Sequence, residues 1–200
     1  MLVIGLTGQS GAGKGTVAAL FARYGLPVID ADQVYHDLLL PPSPCLAELV
    51  GRFGSRIVTE QGTLNRRALA DIVFSDPVSL ADLNHISHRH VMREIRRQLD
   101  QLRREDVRAA ILDAPQLFEA EANRDCNIIV SVLADRAIRL ERIVHRDGIE
   151  PNRALRRMEA QKSDAFFRAH SDYVIENNGN PDLLLPAVER ILLDVGVLER

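Results

Sequence analysis

Two cysteines, Cys45 and Cys126, are all that this chain of 200 residues carries, and they form no pattern for a zinc site or a redox pair. Both are expected to pack as small apolar side chains in a reducing compartment. No apolar run approaches the roughly 20 residues that cross a bilayer, which excludes a membrane helix. A basic excess is missing too: 25 Lys and Arg stand against 28 Asp and Glu, a net charge of −3. Non-specific nucleic-acid binding therefore has no support. The first apolar run begins at Leu2 and reads as a strand, so no signal peptide is expected. Internal repeats, low-complexity tracts and long flexible linkers are absent as well. The expectation is a cytoplasmic protein of ordinary composition, 46% hydrophobic and 26% charged, with one sizeable core.

What is present begins at the N-terminus. Leu2–Leu6 reads as a buried parallel strand, and the residues after Gly13 read as an amphipathic helix. Between them lies Gly8-Gln9-Ser10-Gly11-Ala12-Gly13-Lys14, a G-x-x-x-x-G-K phosphate-binding loop in the strand–loop–helix setting that the motif needs. Glycines at 8, 11 and 13 allow backbone angles that let successive N–H groups point at one anion. The helix N-terminus adds positive potential and Lys14 a full charge at the β/γ-phosphates. Gly15 stands where a hydroxyl residue is usual. The hydroxyl comes one place later, at Thr16, which puts its direct contact with magnesium in question.

A second short strand, Val28–Asp32, ends in two carboxylates, Asp30 and Asp32. Ligands of open parallel sheets gather beyond the carboxyl ends of the strands, so this pair faces the loop's cargo. A helix starts at Gln33, so one aspartate serves as its N-cap and the other works on substrate; the residues leave open which. Residues 33–105 read as almost all helix, interrupting the βαβ rhythm as a substrate-holding insertion. His85, His88 and His90 lie in it at spacings that do not share one helix face, which argues against a metal site. The third strand, Ala109–Ala114, carries Asp113, expected to hold magnesium through water or to orient substrate. Strands follow at 127–133 and 173–176, with a closing helix from Asp182.

Residues 135–170 form a helix–turn–helix segment dense in arginine, of the kind that closes over ATP as a lid. Most of these side chains are expected to face solvent. Arg139, Arg142 and Arg146 recur at three and four residues and share one helix face, where fixed positive charge suits a transferring phosphoryl group. The predicted architecture is α/β: one doubly wound five-stranded parallel sheet (about 1–32, 106–134 and 171–200), with the helical insertion and the lid.

Several stretches together resemble the dephospho-CoA kinase family: LTGQSGAGKG, VIDAD at 28–32, GTLNRRALADIVFSDP at 62–77, LNHISH at 83–88, LDAPQLFE at 112–119, AQ at 160–161 and VIENNG at 174–179. The resemblance implies transfer of the ATP γ-phosphoryl group to the ribose 3′-hydroxyl of dephospho-CoA, with magnesium. It implies ATP and dephospho-CoA as partners of a monomer or weak homo-oligomer. Asp32 matches the second aspartate of the family's D-x-D and becomes the base that orients or deprotonates the hydroxyl; Asp30 is a second candidate, for substrate or metal. Gly8, Gly11, Ala12, Gly13, Lys14, Gly15 and Thr16 bind ATP. Lys14 and Arg142 stabilise the transferring group, with Arg139 and Arg146 as further lid contacts. His88, Leu117, Phe118 and Glu119 match positions lining the dephospho-CoA side, and Thr16 and Asp113 are the metal candidates. The sequence departs from the family at Gly15, Gln9-Ser10, His90 and Gln116.

Two rival readings carry distinct signatures. The nearer is another small-molecule kinase of this architecture, acting on a nucleoside monophosphate or a metabolite hydroxyl; a phosphate acceptor would call for arginines, not a carboxylate pair, at that place. A guanine-specific switch would carry N-K-x-D after a strand; Gln161-Lys162-Ser163-Asp164 approaches it but is expected inside a lid helix.

Overall fold

The computed structural model describes residues 1–199 and divides into two compact units, Met1–Ile29 with Leu102–Arg200, and Asp30–Gln101. The first is an α/β layer structure on a five-stranded sheet. Its strands are β1 (Leu2–Gly8), β2 (Val28–Asp30), β3 (Ala109–Asp113), β4 (Ile128–Leu133) and β5 (Tyr173–Glu176), in the order β2-β3-β1-β4-β5. β1 pairs in parallel with β3, Leu6 opposite Asp113, and with β4, Gly8 opposite Val132; β4 pairs in parallel with β5. β1 and β3 read as nearly continuous apolar runs because strands covered on both faces have no solvent side to alternate toward; every residue of β3 is buried.

The core of this unit joins Ile4, Leu6, Ile111, Val130, Val132 and Ile175 of the sheet to Val17 and Phe21 of α1 (Lys14–Arg23). It continues into Val188, Ile191 and Leu192 of α9 (Leu184–Asp194). Phe21 is fully enclosed, and truncating such a ring to alanine costs about 3–5 kcal/mol. Between β4 and β5 lie α6 (Arg136–Asp147), α7 (Pro151–Glu159) and α8 (Asp164–His170). Gln161, Lys162 and Ser163 are not helical: Ser163 caps α8, its hydroxyl accepting from the Phe166 amide at 3.2 Å. A single lid helix through this stretch was expected; the serine side chain satisfies a new helix start and breaks it.

The second unit is built from α2 (Ala31–Leu38), α3 (Pro44–Phe53), α4 (Arg66–Val73) and most of α5 (Pro77–Arg104). Each helix begins at a side-chain cap: Asp30, Ser43, Asn65 and, for α5, Asp76, whose carboxylate accepts from the Val78 and Ser79 amides. Bonding to Ser79 holds the Asp76 carboxyl below its usual range. Cys45, Leu49, Phe53, Ile57, Leu69, Val73 and Ile86 form the core of this unit. Among the described residues no helix is long and apolar enough to cross a membrane.

Candidate functional site

The chain leaves β1 through Gln9–Gly13 and enters α1 at Lys14. Gly13, the residue before the helix, has φ 89°, and a side chain there would run into Asn177. Gly11, at φ 79°, lies so close to the Arg139 backbone that a Cβ would approach its carbonyl oxygen to 2.7 Å. Only glycine fits both places. The amides that open α1 have no partner four residues back, so they and the helix dipole form an anion cradle.

Two sets of side chains surround this loop. Lys14, in the first turn of α1, forms an ion pair with Asp113 at the end of β3, the two side chains being 17% and 7% exposed. The register that sets Leu6 opposite Asp113 fixes that meeting. On the outer side, three residues far away in sequence hold the loop's carbonyls. Asn177, just past β5, donates Nδ2–H to the Ala12 carbonyl at 2.8 Å. Arg142 donates from Nη1 to the carbonyls of Gly11 (3.3 Å) and Asn177 (3.1 Å). Arg139 donates from Nε to the Ser10 carbonyl (3.0 Å) and from Nη1 to Gln9 Oε1 (2.6 Å).

The sequence-based expectation that Arg139, Arg142 and Arg146 present one row of charge does not hold. Arg139 is 4% exposed and spent on protein acceptors. Its burial pulls the guanidinium below its ordinary pKa, an effect partly offset by Asp164 at 3.9 Å. Arg146 pairs with the adjacent Asp147, which also binds Arg157. The three-residue step from Arg139 to Arg142 rotates the second side chain by less than a full turn, enough to separate a buried from a half-buried position.

The turn after β3 behaves differently from its expected role at one position. Leu117 is wholly buried and packs close against Gly5, so it supports the turn and offers no surface. Phe118 meets Phe166 edge to face at 5.1 Å and lies 5.9 Å from the His170 ring. Lys162 sits 4.4 Å over the Phe166 ring and 3.8 Å from the Glu119 carboxylate. Phe118 and Glu119 thereby meet α8 and the turn that precedes it.

In the second unit, the choice between the two aspartates is resolved for the cap. Asp30 Oδ1 accepts from the amides of Asp32 (2.9 Å) and Gln33 (3.1 Å), so Asp30 is the N-cap of α2. Asp32 lies exposed in the first turn. His88 is half-buried on α5, while His90 is buried and bonds Glu48 at 2.8 Å. The His90 bond, with Arg89, holds the Glu48 carboxyl below its usual range. Among the described residues no three His, Cys, Asp or Glu side chains form a metal cluster. Thr16 and Asp113 nonetheless offer hard oxygen donors, and magnesium takes one or two protein oxygens beside substrate phosphates and water, so these residues fit it. A Cβ at Gly15 would meet nothing within 4 Å, so space does not explain the glycine there.

Gln9 and Asn177 had no role from sequence alone. Both act across more than 120 residues, a separation at which no local pattern gives warning.

Comparison with known proteins follows the same lines. The family model described as Dephospho-CoA kinase matches residues 2–182. A Syntrophotalea carbinolica protein named dephospho-CoA kinase is 39% identical over 180 residues, covering 90% of this chain and 85% of the relative. The Thermus thermophilus protein TT1252 superposes with a TM-score of 0.82 at 32% identity over 97% of each chain. Dephospho-CoA kinase from Campylobacter jejuni shares the fold, with a TM-score of 0.73 at 20% identity over 98% of each chain.

Proposed function

From its membership of the dephospho-CoA kinase family, to which this chain belongs, we infer that it transfers the γ-phosphoryl group of ATP to the ribose 3′-hydroxyl of dephospho-CoA, giving coenzyme A and ADP. The observation that carries this at the level of the site is Lys14, held against Asp113 at the mouth of a glycine loop whose carbonyls are tied down from outside.

Phosphoryl transfer passes through a loose transition state, so positioning and charge stabilisation supply most of the catalysis. Lys14 and the amides of Gly11–Thr16 hold the phosphates, and Lys14 meets the charge that develops on the transferring group. Arg142 adds positive charge beside the loop while bracing the Gly11 carbonyl. Asp32 orients the acceptor hydroxyl and takes its proton late in the reaction; Asp30, spent as a cap, presents the helix that carries it. Phe118, Glu119 and His88 contact dephospho-CoA. Magnesium bound with ATP would supply charge neutralisation at the phosphates, and Thr16 and Asp113 would be the residues to hold it. We propose a cytoplasmic setting for it and a monomeric or weakly associated state.

ADP release is to be measured with ATP, magnesium and each of dephospho-CoA, AMP, adenosine and no acceptor. Release that depends on dephospho-CoA, with a product heavier by one phosphate, is the expected result. Release with AMP alone, or without any acceptor, contradicts the reading.

A further inference from the structure

We propose that Gln9 is a positioning residue for the nucleotide, acting through Arg139 and the 161–163 turn to fix the shape of the phosphate-binding loop. This rests on the kinase reading only for the identity of the nucleotide.

Gln9 is 6% exposed, and both ends of its amide are used. Oε1 accepts from Arg139 Nη1 at 2.6 Å, and Nε2 donates to the Lys162 carbonyl at 3.0 Å. The amide can face only one way. Its oxygen must meet a guanidinium, which has no acceptor, and its nitrogen must meet a carbonyl, which has no donor. A buried guanidinium needs acceptors for its N–H groups, and the Gln9 bond is the shortest that Arg139 makes.

The same network grips the next residue from both sides. The Ser10 amide donates to Gln161 Oε1 at 3.0 Å, and the Ser10 carbonyl accepts from Arg139 Nε at 3.0 Å. Arg139 Nη2 reaches the same Gln161 oxygen at 3.3 Å. The peptide groups flanking Ser10 are therefore pinned before the chain reaches Gly11, Ala12 and Gly13. Pinning them sets the direction of the amides that follow, so the loop is shaped before phosphate arrives. Gln9 closes this circuit by touching both Arg139 and the backbone of the 161–163 turn. A cleft of about 410 Å³ borders the network, so replacing Gln9 by a side chain of equal length does not crush a packed core.

The test is calorimetric titration of ATP and, separately, of dephospho-CoA into the native protein, Gln9→Met and Gln9→Glu, with melting curves of each. Gln9→Met keeps the length and loses both bonds, and ATP affinity is expected to fall about tenfold, the size of one charge-assisted hydrogen bond. Gln9→Glu keeps an acceptor for Arg139 but repels the Lys162 carbonyl, so a smaller loss is expected. Dephospho-CoA affinity should hold in both. ATP binding by Gln9→Met at the native level overturns the proposal, as does equal loss of affinity for both ligands. Should Gln9→Met fail to fold, Gln161→Met decides in its place: weaker ATP binding supports the network and native binding overturns it. A native protein that binds ATP without phosphorylating dephospho-CoA defeats the acceptor reading, while the ATP titrations still judge Gln9.

Discussion

Two strands of the same sheet lead into helices in opposite ways. β1 leaves through a glycine loop that is held in shape by Gln9, Arg139, Arg142, Gln161 and Asn177, most of them more than 120 residues away. β2 passes directly into α2, and its one cap, Asp30, bonds amides two and three residues on. The chemistry each turn serves explains the contrast. Binding an anion requires amides aimed inward, so the loop's remaining polar groups must be satisfied from outside. Presenting a carboxylate requires only a helix start, which the neighbouring residue supplies. The first turn is expensive to assemble and spreads its dependence over distant residues. The second concentrates its function in Asp32.

If that contrast is right, Lys14→Met has the largest effect. It removes the charge at the phosphates and takes from Asp113 its cation. kcat/KM should fall by about 10²–10³-fold, the usual loss for a transition-state donor, measured by ADP release. Asp32→Asn sharpens the comparison: kcat should drop about 10²-fold, at the lower end of what acid–base groups contribute, with ATP affinity unchanged. An Asp32→Asn protein that loses ATP binding breaks the separation of the two turns.

Asn177→Ala tests the distant supports. It deletes a buried bond to the Ala12 carbonyl and the weaker contact with Arg142. The cost should be about 1–3 kcal/mol, read as a melting point lower by about 2–4 °C per kcal/mol. Asp30→Ala, losing a local cap, should cost about 1 kcal/mol and leave ATP affinity untouched. The effect with least bearing at neutral pH concerns the thiols, one in each unit. Burial pushes Cys126 up to about 12, helped by Asp125, and Cys45 up to about 11, helped by Glu48. The folded protein keeps protons that the unfolded chain gives up above the ordinary value of 9.0. Their contribution is thus fully present below pH 9 and is lost as pH rises toward the folded values. Urea midpoints should fall between pH 9 and 11, less steeply in Cys126→Ala, and iodoacetamide should react slowly at pH 8.

How much of this could be read from the sequence follows from distance along the chain. The sheet was legible because buried parallel strands are apolar throughout and glycine, proline and carboxylates mark their ends, as in Leu112-Asp113-Ala114-Pro115. The loop was legible because its glycines and Lys14 fall within seven residues. The choice between Asp30 and Asp32 was not, since cap and first-turn residues share one composition and only hydrogen bonds distinguish them. The row of arginines on α6 misled for a physical reason. Helical spacing gives a face but not what covers it, and Gln9, Ser10 and Gln161 cover Arg139. Gln161–Ser163 looked helical until Ser163 bonded forward to begin α8.

The division of labour between the two turns is tested most directly by titrating Lys14→Met with each substrate in the calorimeter. ATP affinity should collapse while dephospho-CoA binds as it does to the native protein. Dephospho-CoA affinity that falls in step with that for ATP would contradict it.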